Sequence, residues 1–405
     1  MGLHGVSVDL NLVEWVGLVV RWFHLVVAIG WIGVSLYFMW LDASLESPAS
    51  PQERVDGEVW MVHSGGFYHV VKRRLRPGEM PAHLHWFKWE AALTWASGFA
   101  LLSLIYYLNA GAYLVDRSVL PMSPAAAVLV GVALLAASWV VYDLLWRSSL
   151  ADGEARVATW LSWALLFALA LAACRLFGGR GAYIHVGAAL GTIMVANVWM
   201  IIVPAQRELI AATREGREPD WTLGARAKRR STHNSYVTFP VIFLMFSNHY
   251  PSTYGHPLNW LVLWLLIIGG AGVRHAMMMA EKRHPVRWVW APVVAALIAA
   301  VALTAPAWRA TARPAAAPRV PFTVVRGIVE LRCVSCHSKA PTDDVFRAAP
   351  QGLPLDTPET IRERAPQIKE RTVTTRTMPL GNKTGMTDEE RLLLGRWVDQ
   401  GARLQ

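Results

Sequence analysis

Between residues 13 and 307 this chain carries eight apolar runs in succession. They are Val13–Leu41, Trp86–Tyr107, Pro124–Leu145, Thr159–Leu176, Ala182–Val203, Ser235–Asn248, Leu258–Met279 and Trp288–Ala307. An α-helix needs about 20 apolar residues to cross a hydrocarbon core roughly 30 Å thick. Most of the runs reach that length, and one soluble core has no use for so many. Charged residues are 17% of the chain, against about 25% in ordinary soluble domains. The sequence therefore predicts an all-α fold built on a polytopic bundle of about eight transmembrane helices. The sixth run is the weakest, being short, polar at its start and interrupted by Pro240. A proline is tolerated there when neighbouring groups satisfy the freed carbonyl. The first run is too long for a cleavable signal peptide and has no basic segment before it, so it reads as a retained helix.

The net charge of +10 follows the same division. Loops after the first, third, fifth and seventh runs hold 17 Lys/Arg, and the remaining connections hold only Arg117, Arg175 and Arg180. Cytoplasmic loops attract Lys and Arg, which places the odd-numbered loops inside and both termini outside. The basic residues are not interleaved with aromatics as in single-strand binders, so nucleic acid is not an expected partner.

After the last run the character changes. Residues 308–319 form an Ala/Pro linker of the semi-stiff kind, and residues 320–405 read as a small polar globular domain. Within it stands Arg332-Cys333-Val334-Ser335-Cys336-His337. Two thiols followed by an imidazole at this spacing suit covalent attachment of haem c through Cys333 and Cys336. His337 would be one axial ligand and Met378, followed by Pro379, the other; such a pair raises the reduction potential. Met386 is the competing thioether. The alternatives for the motif, a redox dithiol or half a zinc site, lack a second cysteine or histidine pair nearby. Phe322–Leu331 reads as a helix leading into the motif. A second helix opens with a capping box at Thr387 and Glu390, buries Leu393, Leu394, Trp397 and Val398, and ends at Gly401. This series resembles the small class I cytochromes c. Haem c is attached on the outer side of bacterial cytoplasmic membranes, and the loop charges independently place the C-terminus there.

Polar groups within the apolar runs are costly and mark function by default. Arg21 and His24 lie in the first run, His185 and Asn197 in the fifth, and Arg274 and His275 in the seventh; His249 follows the sixth. For any one histidine a satisfied structural role is the simpler reading. The chain has 13, however, and paired imidazoles on neighbouring helices are a usual way for a bundle to hold haem b. His24 is the first candidate ligand, with His185, His249 and His275 behind it. The loop after the first run is the other rich segment. Gly65–Arg74 and Pro81–Glu90 bring cations, imidazoles and a carboxylate beside aromatic planes. They could hold a planar anion by charge and stacking, with His69, His85 and Glu90 as catalytic candidates. The plainer reading is a basic inner loop with interfacial aromatics.

An eight-span domain opening Arg21-Trp22-Phe23-His24-Leu25-Val26-Val27-Ala28-Ile29-Gly30-Trp31-Ile32-Gly33, continuing through Gly65-Gly66-Phe67-Tyr68-His69 and Pro81-Ala82-His83-Leu84-His85-Trp86, and closing on a cytochrome c, resembles the bacterial membrane-bound urate oxidase (urate hydroxylase) family. The first run alone is similar to the opening helix of an integral-membrane type of protoporphyrinogen oxidase, where a histidine at the place of His24 is associated with haem b. The family resemblance implies oxidation of urate to 5-hydroxyisourate, with electrons passing through haem c to a respiratory terminal oxidase or a soluble cytochrome. It implies a multi-pass protein of the bacterial inner membrane with the cytochrome on the periplasmic side. Two other functions stay open: oxidation of a quinol or another small molecule, and a membrane-anchored electron carrier without substrate chemistry of its own.

Overall fold

A computed structural model describes residues 12–48, 50, 53–153, 155–305 and 318–405, and it is mostly helical. All but the last two residues of the expected linker lie outside the described residues. The long helices are α1 (Leu12–Ser44), α2 (Trp89–Leu102), α3 (Pro124–Arg147), α4 (Arg156–Leu176), α5 (Gly179–Ala196), α6 (Val203–Arg214), α7 (Trp221–Phe246), α8 (Asn259–Glu281) and α9 (Arg287–Thr304), followed by α10 (Phe322–Arg332) and α11 (Asp388–Asp399). Helix α5 runs into α6 through a π-helical stretch at Asn197–Ile202.

Among the described residues, six helical stretches are long and apolar enough to cross a membrane, where the sequence predicts eight. The second expected span shortens to α2, which a π turn at Ser103–Tyr107 extends. The sixth is the C-terminal half of α7, whose first half carries Arg226, Lys228, Arg229 and Arg230 and lowers the mean hydropathy of the whole.

The all-α expectation also needs correction. Val55–His63 (β1) and Gly66–Arg73 (β2) pair as an antiparallel hairpin inside the first loop. The connecting residues Ser64 and Gly65 both have positive φ, 48° and 78°. Two such residues make the type I′ turn whose twist matches paired strands.

The described residues gather into two compact units. The first draws on Met1–Ile105, Leu190–Thr238 and Ala271–Trp290. There Ala91, Val198 and Val203 are buried among Trp31, Trp86 and Trp199. The end of α1 is tied down by Asp42, which accepts from Lys72 at 2.7 Å and Lys228 at 3.1 Å.

The second unit draws on Tyr106–Ala189, Phe239–Gly270 and Ala291–Gln405. Helix α3 starts with Ser123 accepting from the Ala126 amide and Pro124 in the first turn, the cap and proline a helix start favours. Ala158, Ala170, Ala173, Ala182 and Ala189 are fully buried. Small residues of this kind let helices approach closely where lipid removes the hydrophobic drive between them. Residues 318–405 have their own core of Phe322, Val325, Val329, Ile361, Leu394 and Trp397. The expected helix into the cysteine motif is α10, and the expected capped helix is α11, with both hydrogen bonds of the capping box at Thr387 and Glu390 formed. Gly401 follows at φ 94°, a backbone that glycine adopts without strain. This segment rests on loops of the same unit. The Arg117 amide donates to the Gly381 carbonyl at 3.4 Å, Phe346 meets Tyr113 edge to face at 6.4 Å, and Gly255 abuts Thr375 with no room for a β-carbon.

Candidate functional site

Helix α10 delivers the cysteine motif. The Cys333 amide still donates to Val329, while the amides of Cys336 and His337 donate to the Cys333 carbonyl at 3.2 and 2.8 Å. The chain thus turns once and presents the two thiols and the imidazole from one turn. His337 Nδ1 donates to the Leu353 carbonyl at 2.9 Å. That bond fixes the tautomer and leaves Nε2 with the lone pair an iron needs. Both thiols are free rather than bonded to each other. Burial pushes the Cys333 thiol up to about 12 and also raises that of Cys336.

The two methionines separate cleanly. Met386 is 3% exposed and belongs to the core of this segment. Met378 is half-buried in a stretch without regular secondary structure. Its amide donates to the Arg371 carbonyl at 3.0 Å, and its carbonyl accepts from Arg391 at 2.8 Å. The donor set of two free thiols, an oriented imidazole and one uncommitted thioether fits haem c.

The four candidate ligands for haem b differ in their surroundings. His24 on α1 donates from Nδ1 to the Thr94 carbonyl at 3.1 Å, with Ser97 Oγ at 3.0 Å. A β-carbon at Gly98 would come within 3.0 Å of its Cε1, so a glycine makes the room for this ring. Nδ1 held by a carbonyl and Nε2 left basic is the arrangement of a metal-ligating histidine, and His24 passes this test. His185 does not. It is fully buried, donates from Nδ1 to the Gly181 carbonyl at 2.8 Å and accepts at Nε2 from Tyr107 at 3.2 Å. Phe177 and Gly131 close around the ring. With both nitrogens engaged and no space before Nε2, His185 is a structural histidine. His275 on α8 bonds Tyr236 at 2.6 Å and stacks on its ring. His249 is exposed in the short turn Ser247–His249 that follows α7.

The three catalytic candidates also fall in different places. His69 on β2 stacks on Trp60 of β1 at 4.2 Å and bonds Glu58 at 2.9 Å, on a hairpin whose Trp60, Val62 and Phe67 are exposed. His85 lines an open cleft with His83, Trp86, Ile210 and Arg214. Glu90 sits in the first turn of α2 with one buried carboxylate oxygen that has no partner.

Asn197 and Arg274, polar groups that the sequence marks within the fifth and seventh runs, belong to a buried polar group that also includes Arg230, which the sequence reading passed over. In the first unit Asn197, Arg230 and Arg274 are essentially inaccessible. Asn197 donates to Asn234 at 2.8 Å and faces Arg230 at 3.5 Å. Arg274 donates to Ser235 at 2.7 Å and to Glu281 at 3.1 Å, leaving Nη2 buried and unpartnered. Buried charges persist where they are paired or do chemistry. The π-helical stretch that begins at Asn197 is also a device that recurs at functional sites. The signal in sequence was polar residues just after α5 and inside α8, but Arg230 and Asn234 fall between the fifth and sixth expected runs and read as loop.

The described residues hold six helices long and apolar enough to cross a membrane, the make-up of a polytopic helical protein. Residues 10–305, more than half of the chain, match the urate oxidase N-terminal family, and the chain belongs to it. No curated protein and no solved structure matches it.

Proposed function

We propose that this protein oxidises urate to 5-hydroxyisourate in the bacterial inner membrane and gives up the electrons through haem c on its C-terminal segment. Urate and water yield 5-hydroxyisourate, two protons and two electrons. The observation that carries this reading is the union, in one chain, of the family match over residues 10–305 and the Cys333, Cys336, His337 and Met378 donor set beyond it. When bound, haem c with histidine and methionine ligands accepts one electron at a time at a raised potential. The chain's own part is to hold it: His337 is oriented by Leu353, and Arg391 fixes the Met378 backbone. His24, the imidazole that passes the ligand test, is the proposed site of haem b as a second one-electron group. The Lys/Arg distribution supports a periplasmic C-terminal segment. There a respiratory terminal oxidase or a soluble cytochrome would take the electrons.

The test is optical. Urate added to membranes holding the oxidised protein is expected to reduce the haem c band. A band that stays oxidised with urate but reduces with a quinol replaces this reading with quinol oxidation. A pyridine haemochrome spectrum without haem b would remove the His24 assignment alone.

A further inference from the structure

In the second unit, a phenol organises a donor and an acceptor that have nothing to bond. Tyr106 is 2% exposed. Its oxygen accepts from the Asn248 amide nitrogen at 2.8 Å and is also hydrogen-bonded by the Arg180 guanidinium. That leaves Asn248 Oδ1 and Arg180 Nε, both inaccessible and both without a partner. Buried donors and acceptors are almost always paired, and two unpaired ones on the partners of a single oxygen call for a ligand.

The surroundings define what could satisfy them. The Arg180 guanidinium lies over the Tyr113 ring at 5.0 Å. Tyr113 in turn meets Tyr106 edge to face at 6.1 Å and Phe346 edge to face at 6.4 Å. The nearby carboxylate Asp116, which abuts Gly178, is engaged by Ser118 through Oδ1. The surroundings are therefore aromatic and cationic, with one hydrogen-bond donor and one acceptor to offer.

We infer that Arg180, Asn248, Tyr106 and Tyr113 bind the ureide edge of a planar purine anion beside the C-terminal segment. This deepens the urate reading and rests on it. A ureide edge presents a carbonyl or ring nitrogen anion next to an N–H. The first accepts from Arg180 Nε, and the second donates to Asn248 Oδ1. Phe346 stands nine residues after His337 in the segment that carries the haem c donor set. A ligand against Tyr113 is therefore next to that segment, and its electrons have no bilayer to cross. The inner-loop histidines His69 and His85 are then not the substrate site.

The experiment measures equilibrium binding of xanthine, which carries the same ureide edge, to the detergent-solubilised full-length protein, alongside urate-driven haem c reduction. Arg180→Gln and Asn248→Ala are each expected to weaken xanthine binding and raise the urate KM by about 10- to 100-fold, with haem content unchanged. Arg180→Lys keeps the charge but loses the planar donor, and is expected to recover only part of the loss. The Cys333→Ala/Cys336→Ala protein, which cannot attach haem, should bind xanthine as the wild type does. Wild-type xanthine affinity in both Arg180→Gln and Asn248→Ala overturns the site even if urate still reduces the haem. A shifted haem potential in Arg180→Gln with unchanged xanthine affinity also overturns it, since Arg180 would then hold a haem carboxylate. Xanthine binding that depends on Arg180, without haem reduction by urate, leaves the site standing and removes the urate reading instead.

Discussion

Replacing Gly131 with alanine tests how tightly His185 is enclosed. A β-carbon at Gly131 would lie 2.7 Å from His185 Nε2 and 3.1 Å from the Tyr107 hydroxyl. Glycine to alanine inside a helix ordinarily gains about 1 kcal/mol. Here an added methyl overpacks a closed core, at a cost of about 1–3 kcal/mol. It also pushes Tyr107 off Nε2 and leaves a buried ring nitrogen bare, for roughly another 1–3 kcal/mol. The losses exceed the gain, and the net destabilisation is about 1–5 kcal/mol. For a chain of 405 residues, an unfolding entropy of about 2.1 cal/mol/K per residue converts each kcal/mol to roughly 1 °C, so the middle of that range lowers the melting temperature by about 3–4 °C. Thermal unfolding in detergent reads this out. Gly191→Ala is the control, because nothing lies within 4 Å of its β-carbon position, and it should melt no lower than wild type. A Gly131→Ala protein that melts at or above the wild-type temperature would refute the closed imidazole and reopen His185 as a haem ligand.

Three other outcomes follow from the same geometry. Met378→Ala should lower the haem c potential, because a thioether ligand is lost. Met386→Ala should instead cost about 2–5 kcal/mol of stability with the potential kept; the reverse pattern would exchange the two assignments. Glu281→Gln removes the carboxylate from the fully buried Arg274. It should destabilise by about 3–5 kcal/mol, and a Glu281→Gln/Arg274→Met double variant should be more stable than the single one. Asp343 gives a pH dependence. Burial works to raise its carboxyl, but the Lys383 ammonium at 2.6 Å and the amides of Val345 and Phe346 outweigh it and hold the group below the usual carboxylate range. A lowered folded value stabilises above the ordinary value of about 4 and is lost as pH falls through the folded one. The stability difference between wild type and Asp343→Asn should therefore close in acid, and a difference that persists well below that range would sink the clamp.

What was legible in sequence was local. The capping box at Thr387 and Glu390 and the apolar face of α11 are set by residues three or four apart, so a linear reading finds them. The hairpin was legible too, in the alternation of Val55–His63 and the Ser64–Gly65 turn, but it lay between apolar runs and read as loop. Helix α7 was half missed because Arg226, Lys228, Arg229 and Arg230 look like a cytoplasmic loop, although Arg230 is 1% exposed. The preference for Met378 over Met386 came from the proline that follows it, and packing adds only that Met386 lies in the core of the segment. The pairing of Arg180 with Asn248 could not be read at all. They are 68 positions apart, and only the bonds each lacks single them out.

The loops under the C-terminal segment carry a kinetic consequence. Arg117 on Gly381, Tyr113 against Phe346 and Gly255 against Thr375 hold the stretch around Met378 in place. A carrier on a flexible leash meets its donor at a millimolar effective concentration set by tether length, and its rate varies with that tether. On the proposed reading, in which this segment holds haem c, a carrier seated in this way does not search. Its first transfer is a unimolecular event, insensitive to dilution and viscosity, and only the hand-over to the next protein remains a matter of diffusion.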